Sequence, residues 1–315
     1  MAFVNWKGDW CHRQPAVLTK ARIIVFPLLG ATDRLTAICQ DRIAGPSGGR
    51  VRAAPLAIPL VNKSLLLLAC ADFPHIASDD PQDSQLGYVT ERDVGFCLPV
   101  KLTVAGQDRG IHVVNPLLWV DNPAGVIEGR EIFGFPKILA AIPWETKGAL
   151  TFEVDSLVFH RYSPTTAATI DWLLKVEPAG LLGALAAQTT AVNATDPIPD
   201  VTRRLVDGVL GVTAFANLGV AATGFDRVRL ALLKQFRAVE AAAGDPVCYQ
   251  DVVRAEFEIK QITGAWTHLL GGRHLVVADH ASVPIADILG IDFTTPLPFA
   301  VEVRADLRLT GSTFA

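Results

Sequence analysis

The sequence predicts an α+β fold that consists mainly of antiparallel β-structure and contains few helices. Short apolar segments recur along the chain, and turn residues rather than helices separate them, which is typical of a sheet that curls into a barrel or sandwich. Residues 252–263 and 299–309 alternate apolar with charged side chains, as half-exposed antiparallel strands do. One long segment, residues 178–229, departs from this pattern.

The strand candidates begin near the N-terminus and follow one another closely. Residues 21–27 are mostly apolar and end at a proline, which predicts a buried strand closed by a turn, and Asp33 stands where it could cap a short helix to Arg42. Residues 78–85 contain three aspartates and a proline, which predicts a solvated loop more simply than a cation site. The remaining strand candidates are residues 56–61, 65–70, 96–104, 110–120, 150–158 and 168–176.

The 178–229 segment is predicted to be a helical insertion within a single domain that spans residues 1–315. Two runs, residues 178–195 and 208–225, contain no charged side chain and are rich in alanine, glycine, leucine and threonine. Each run is at the short end of what could cross a bilayer, and its glycines and polar residues lower its hydrophobicity. A helical hairpin packed against protein is therefore the favoured interpretation.

Composition favours chemistry on small molecules. The chain has 28 basic and 32 acidic residues in 315, with no long basic run that could bind nucleic acid. Its five cysteines are widely spaced and odd in number, which predicts free thiols in a reducing compartment. Residues 1–15 lack the apolar core of a secretory signal, so a cytoplasmic protein without a membrane partner is expected.

The usual cofactor and nucleophile motifs are not found in the sequence. The seven histidines show no metal-ligand spacing, and no Gly-x-Ser-x-Gly elbow occurs. The glycine-rich residues 45–49 lack the lysine of a phosphate-binding loop. The sequence therefore predicts neither a metal nor a nucleotide cofactor.

Lys137 is the most unusual charged residue of the chain. It is the only charged residue from Ile132 to Ile142, and its neighbours are aromatic and aliphatic. A lysine amine is a useful nucleophile only when neutral, and half neutrality at pH 7 requires its pKa to fall from about 10.4 to about 7. Burial can lower a lysine pKa that far, so the segment predicts a desolvated Lys137 that titrates well below a free lysine. The alternative is a surface lysine whose stem covers apolar surface.

The residues around Lys137 resemble a known signature. Gly129-Arg130-Glu131 followed by Phe135-Pro136-Lys137 is similar to the motif of the acetoacetate decarboxylase family. The other segments that match the family's order are Tyr88-Val89-Thr90-Glu91, Trp119-Val120-Asp121-Asn122, Ala265-Trp266-Thr267 and Asp279-His280. The resemblance implies a cone-like closed antiparallel barrel around the lysine, a Schiff base between Lys137 and a keto acid, and proton transfer by Glu91. It also implies a homo-oligomer.

Two departures from the family pattern bear on the substrate. The family's decarboxylases carry a second lysine directly after the first, and this chain has Ile138 there. They also carry an arginine and a further glutamate in the N-terminal strands, for which residues 19–25 and 65–70 offer no clear equivalent. The resemblance thus supports Schiff-base chemistry without supporting acetoacetate as the substrate.

A substrate pocket is predicted around the lysine. Its expected walls are Leu118, Trp119, Phe135 and Ile138, which would keep the amine dry, together with Arg130, which is expected to pair with Glu131 beside Lys137. Three functions remain open. The first is a Schiff-base lyase that decarboxylates a keto acid, and the second is an aldolase-dehydratase that condenses pyruvate with an aldehyde. The third, a non-catalytic binding protein, is disfavoured because both Lys137 and Glu91 are present.

Overall fold

The computed structural model of the chain describes residues 12–58, 61–144, 150–178, 187–192, 226–239 and 246–314. Strands account for most of these residues. The strands are β1 (Ala16–Ala31), β2 (Val51–Pro55), β3 (Ala57–Ile58), β4 (Lys63–Ser78), β5 (Val89–Val104), β6 (Gln107–Val120), β7 (Lys137–Ala141), β8 (Phe152–Val158), β9 (Thr169–Pro178), β10 (Ala187–Val192), β11 (Arg227–Arg237), β12 (Val247–Val277), β13 (Asp279–His280), β14 (Val283–Pro284) and β15 (Thr294–Thr313).

Helices in the described part of the chain are short. They are α1 (Thr32–Cys39), α2 (Pro123–Glu128) and α3 (Ile285–Leu289), and the first two continue into π-helical turns, Gln40–Ala44 and Gly129–Phe133. None of these helices has the length and apolar character needed to span a membrane. Asp33 does not cap α1 as predicted, because the helix begins one residue earlier and Asp33 lies in its first turn.

Most of the strands join one large sheet in which antiparallel pairing predominates. Its order is β11-β6-β7-β8-β9-β12-β15-β1-β4-β5-β2, with β3 beside β4 and β10 beside β12. β5 also pairs with β6. A continuous series of strand pairings therefore runs from β6 through β7, β8, β9, β12, β15, β1, β4 and β5 and back to β6. Two of the pairings, β6 with β7 and β11 with β6, are parallel. The predicted class, mainly antiparallel β with few helices, is confirmed, whereas the cone-like closed barrel stays a prediction.

The long strands are buried on both faces, which explains their nearly continuous apolar runs. In β1, Phe26 and Leu28 belong to the main core, whereas Ile23 and Val25 face a cavity on the other side of the sheet. The same alternation holds in β4, where a run of four leucines covers both faces. The alternation of apolar and polar residues is therefore weak in β1 and β4. Their sequences predict a strand but do not indicate which face each side chain occupies.

The predicted helical insertion needs correction where the structure describes it. Residues 187–192 form the strand β10, whose residues pair with Ala265 to Leu270 of β12, and residues from Arg227 onward belong to β11. β10 thus adds a further row of backbone hydrogen bonds along this part of β12. The rest of the predicted insertion, residues 179–186 and 193–225, lies outside the described residues, and the division into a single domain stays a prediction.

The cysteines that the structure describes are free, as the sequence predicts. They are Cys39, Cys70, Cys97 and Cys248. Burial raises the pKa of the Cys39 thiol to about 12, and burial also raises the pKa of Cys97 to about 11. A thiol is reactive as the thiolate, so these two cysteines are inert at neutral pH.

Candidate active site

A cavity of about 380 Å³ lies against the face of the sheet that is opposite the main core. Side chains of β1, β4, β5, β6, β11, β12 and β15 line it, together with the segment from α2 to β7. Most of its walls are apolar, with Leu18, Phe73, Leu230, Phe257 and Leu307 among them. The polar and ionisable side chains that line it are Gln14, Glu91, Asp93, Asn115, Glu128 and Lys137, with Cys97 beside them.

Lys137 begins β7 and reaches into this cavity. Its Nζ donates a hydrogen bond of 2.6 Å to Oε1 of Glu91 and lies 3.9 Å from Oδ2 of Asp93. The side chains of Lys137 and Glu91 are only 10% and 4% exposed, so the ion pair is shielded from solvent. The ring of Phe135 lies 5.7 Å from the ammonium nitrogen. The cavity thus holds a buried amine that is in direct contact with a carboxylate.

The chain between β6 and β7 is shaped to bring Lys137 beside β6. Asn122 caps α2 by accepting a hydrogen bond of 2.8 Å from the backbone N–H of Ala124, and Pro123 follows at the first helical position. The π-helical turn then ends at Gly134, whose φ of 74° is a left-handed conformation that favours glycine. β7 consequently runs parallel to β6, with Lys137 paired to Leu118.

Two glycines leave room for the ion pair of Lys137 and Glu91. A Cβ at position 125 would lie 1.4 Å from Oε2 of Glu91, and a Cβ at position 129 would lie 2.6 Å from Cδ of Lys137. Gly125 and Gly129 are four residues apart, so they are on the same side of α2 and its continuation. The glycine of the Gly129-Arg130-Glu131 motif is therefore required by close packing against the lysine stem.

We expect Gly125→Ala to destabilise the protein by about 1–3 kcal/mol, because the new methyl group overlaps the Glu91 carboxylate and forces it away from Lys137. Chemical denaturation would measure the change. The matched control is the same substitution in a Glu91→Ala background, where the overlap is absent and the cost should fall. Equal costs in the two backgrounds would contradict this explanation.

Asp93 is a site residue that the sequence reasoning missed. The segment Thr90-Glu91-Arg92-Asp93 belongs to β5, where Glu91 and Asp93 point to the same face. The usable signal was the two-residue spacing of the carboxyl groups, continued by Gly95 and Cys97, which also line the cavity. Glu128, another missed residue, accepts hydrogen bonds of 2.8 Å from the backbone N–H and from Nδ1 of His12.

Charges from β5 reverse the expected pKa change of Lys137. Burial lowers the pKa of Lys137, but Asp93 and Glu91 raise it by more, so the net direction is upward. Burial, followed by repulsion from Glu91, raises the pKa of Asp93 well above its usual range. The prediction of a lysine that titrates well below a free lysine through desolvation is wrong for the protein without substrate.

Three of the five predicted pocket residues lie elsewhere. Leu118 and Phe135 line the cavity, but Trp119 and Ile138 follow inward-facing residues and therefore point to the other face of β6 and β7. Trp119 is fully buried in the main core, and Ile138 is 37% exposed. The side chain of a lysine at position 138 would therefore point away from the side chain of Lys137.

Arg130 is also outside the cavity. It is exposed and donates a hydrogen bond of 3.4 Å from its guanidinium to the backbone carbonyl of Lys137. It does not pair with Glu131, which is exposed as well. Together with Ile138, Arg130 lines a separate surface groove. The predicted ion pair of Arg130 with Glu131 is therefore not formed, and the ion pair observed at this site joins Lys137 to Glu91.

Lys137 is the only cationic side chain among the described residues that line the cavity. Arg22 of β1 lies next to Ile23 but points to the opposite face, where it donates two hydrogen bonds of 2.8 and 3.0 Å to Glu302. The structure thus agrees with the sequence that residues 19–25 place no arginine at this site. The structure adds two acidic side chains to the site, Asp93 of β5 and Glu128 of α2.

Comparisons with known proteins agree with this fold and motif. The family model described as acetoacetate decarboxylase matches residues 80–193, which include Glu91, Asp93 and Lys137. A comparison with curated proteins found no match.

Solved structures similar to this chain extend the comparison. A structure of acetoacetate decarboxylase from Legionella pneumophila subsp. pneumophila str. Philadelphia 1 is 17% identical, with a TM-score of 0.54, and the alignment covers 96% of this chain and 88% of that one. Another, from structural studies of acetoacetate decarboxylase, is 12% identical with a TM-score of 0.55 and coverages of 96% and 91%.

A third similar structure is the enduracididine biosynthesis enzyme MppR complexed with the condensation product of pyruvate and imidazole 4-carboxaldehyde. It is 14% identical with a TM-score of 0.50, and the alignment covers 96% of this chain and 90% of that one. At these identities the structures establish the fold alone. The segment that carries Glu91 and Lys137 therefore matches the family model of acetoacetate decarboxylase, and the chain shares its overall fold with solved acetoacetate decarboxylase structures.

Proposed function

We propose that this protein is a Schiff-base-forming carbon–carbon lyase that acts on an apolar keto acid, with Lys137 as the nucleophile. The observation that carries the proposal is the 2.6 Å contact between Nζ of Lys137 and Oε1 of Glu91 inside a largely apolar cavity. A nucleophile in contact with its base is the arrangement that covalent catalysis requires. The proposal includes assembly as a homo-oligomer, which the mass of the protein in solution would test.

Imine formation needs a proton acceptor and a proton donor, and the two carboxyl groups of β5 fit these roles. Glu91 takes a proton from the ammonium, and the neutral amine attacks the substrate carbonyl carbon. Asp93, whose pKa is raised, protonates the resulting alkoxide and recovers a proton from the nitrogen. Glu91 then returns its proton to the hydroxyl group, water leaves, and the nitrogen lone pair forms the iminium. Different environments for two neighbouring carboxyl groups are typical of acid and base partners.

The iminium then accepts the electrons of a carbon–carbon bond. In decarboxylation, the bond to the carboxylate breaks, CO₂ leaves, and its electron pair forms an enamine with the nitrogen. A carboxylic acid protonates the enamine carbon, and water hydrolyses the iminium to release the product and the amine. No second cation among the described lining residues would stabilise the substrate carboxylate, so loss of CO₂ is not opposed by a strong ground-state contact.

The walls of the cavity favour a substrate with an apolar chain. Cavities of a few hundred cubic ångströms accommodate whole ligands, and the volume here is about 380 Å³ with predominantly apolar lining residues. A small, strongly hydrated keto acid such as acetoacetate would leave much of this surface without contact. We therefore infer that acetoacetate is a poor substrate and that a longer β-keto acid gains affinity from each buried methylene group.

Aldol condensation with dehydration is the second candidate. After loss of a proton from the carbon next to the iminium, the enamine attacks an aldehyde, and Glu91 and Asp93 can move the protons that the addition and the loss of water require. The cavity has room for a second substrate beside the first. MppR, the similar structure that holds a condensation product of pyruvate with an aldehyde, lends this candidate support from the fold.

The experiment compares three substrate sets with the purified protein and its Lys137→Ala variant. CO₂ release is measured from acetoacetate and from β-keto acids of increasing chain length, and mass spectrometry follows pyruvate with an aromatic aldehyde. We expect Lys137-dependent CO₂ release that rises with chain length. Fast CO₂ release from acetoacetate alone would refute the proposal of an apolar substrate. A condensed product formed without CO₂ release would identify the protein as an aldolase. If no substrate set gave a Lys137-dependent product, a non-catalytic binding protein would be favoured.

Asp93→Asn is expected to raise stability at neutral pH and to lower turnover. Because the folded-state pKa of Asp93 is raised, its contribution to stability is present below its unfolded pKa of about 3.9 and is lost as the pH rises toward the folded value. Asparagine resembles the protonated acid and avoids this loss, but it cannot donate the proton. Denaturation at pH 4 and pH 7 would show a gain that is larger at pH 7, and a variant that is less stable at both would contradict the assignment.

A further inference from the structure

Three side chains that are far apart in sequence converge at the end of the sheet near β9. His160 follows β8, Asp171 belongs to β9, and His280 belongs to the short strand β13. One ligand atom from each lies within 4.8 Å of the others. None of the three lines the cavity of Lys137, so this cluster is distinct from the candidate active site.

The imidazole of His280 has the arrangement of a metal ligand. Its Nε2 lies 2.9 Å from the backbone carbonyl of Trp172, which can only accept, so Nε2 carries the hydrogen and Nδ1 carries a lone pair. His280 is 5% exposed, and its Nδ1 is buried without a hydrogen-bond partner. Buried polar atoms are rarely left in this state. A histidine whose other nitrogen donates to a carbonyl is the usual form in metal sites, because the hydrogen bond fixes the tautomer and the ring orientation.

The other two side chains can move to meet an ion. Nε2 of His160 lies 3.4 Å from Oδ2 of Asp171, and their side chains are 51% and 35% exposed. The rings of His160 and His280 are 4.8 Å apart at their centroids. Since zinc binds nitrogen and oxygen at about 2.0–2.2 Å, small rotations of these two partly exposed side chains would close the set.

Backbone contacts hold the two loops of the cluster together. The backbone N–H of Ser282 donates a hydrogen bond of 3.2 Å to the carbonyl of Phe159, and the N–H of Phe159 donates one of 3.0 Å to Oγ of Ser282. Phe159 precedes His160, and Ser282 lies in the turn between β13 and β14. The backbones at His160 and His280 are therefore held close together before any ion binds, which lowers the conformational entropy lost on binding.

We propose that His160, Asp171 and His280 form a binding site for a divalent first-row transition-metal ion, with zinc as the reference ion. Two imidazoles and one carboxylate select such ions over Mg²⁺ and Ca²⁺, which prefer oxygen ligands. Three protein ligands leave a fourth position for water on the exposed side of His160. The ion would join the connection that follows β8 to the β13–β14 hairpin, and binding would stabilise the folded state.

The test uses the full-length protein without a histidine tag, dialysed against a chelator and then against buffer. Calorimetric titration with Zn²⁺ is expected to show one ion per chain, and titration with Mg²⁺ no binding. His160→Ala and Asp171→Asn are expected to weaken zinc binding by at least about tenfold. His75→Ala, which removes a histidine of β4 outside the cluster, serves as the control and should bind as the unsubstituted protein does.

Cobalt adds a structural readout. Co²⁺ bound by this set should give visible absorption bands that Asp171→Asn changes and His75→Ala does not. Because His160 and Asp171 are partly exposed, their variants should keep the fold, which circular dichroism would verify. Absence of stoichiometric zinc binding, or equal affinity in His160→Ala, Asp171→Asn and the unsubstituted protein, would overturn the proposal.

Discussion

Borohydride reduction in the presence of a keto acid is expected to add the mass of the reduced substrate to the peptide that contains Lys137. The amine is buried beside Glu91, which can accept its proton, and the lining of the cavity around it is largely apolar. Lys137→Ala should abolish both the adduct and the turnover. Peptide mass mapping after reduction with pyruvate, acetoacetate and a longer β-keto acid measures the result.

Lys175 provides a matched control for this trapping experiment. Its Nζ lies 3.1 Å from Glu153 and 4.9 Å from the ring of Trp172, so it too has a carboxylate and an aromatic ring nearby. It does not line the cavity. Lys175→Ala should therefore leave the adduct unchanged. An adduct on Lys175, or one that survives in Lys137→Ala, would remove the basis for assigning the nucleophile to Lys137.

The double variant Glu91→Gln/Asp93→Asn is expected to lose about 3–5 kcal/mol of stability at pH 7, because the buried ammonium of Lys137 is then left with no carboxylate partner at all, although Asp93→Asn alone leaves Glu91 in place. Burial then outweighs the remaining attraction, so the pKa of Lys137 should fall below its usual range. Adding Lys137→Met should recover much of the loss. Urea denaturation of the double and triple variants measures both effects, and NMR titration of the lysine amine follows the pKa.

The stability difference between the unsubstituted protein and the double variant is expected to depend on pH. In the unsubstituted protein, the pKa of Lys137 is raised above the value in the unfolded chain. The resulting stabilisation is fully present below about pH 10.4 and is lost as the pH rises through the folded-state pKa. The stability difference between the unsubstituted protein and the double variant should therefore shrink in alkaline solution. Glu153→Gln, at a partly exposed pair, should change stability by no more than about 1 kcal/mol, and an equal loss there would argue against a special role for burial.

The strands and the apolar segment around Lys137 could be predicted because both have local causes. Strands such as β12 and β15 carry alternating or continuous apolar runs, and these depend on the backbone's two-residue period. The segment around Lys137 was conspicuous because one charge stands among apolar residues, next to glycines that close packing requires. Such features are visible whenever the physical constraint acts between neighbours along the chain.

The composition of the site could not be predicted in the same way. Asp93 joins Lys137 because β5 pairs with β6 and β6 pairs with β7, and these pairings connect residues that the sequence separates widely. The faces of Trp119 and Ile138 depend on which residue of each strand points into the cavity, and a shift of one residue reverses them. Sequence neighbours of Lys137 suggested a lowered pKa, but the charges that raise it come from another strand.

The sequence by itself determined that this chain is a mainly β protein with a lysine in an apolar segment, because hydrophobic periodicity and local packing act over a few residues. Only the tertiary structure decided that the lysine is paired with Glu91, that Asp93 shares the site, and that His160, Asp171 and His280 meet elsewhere. Electrostatic attraction and ligand convergence depend on distances through space. Those distances are fixed by strand register and sheet order, which local sequence patterns do not encode.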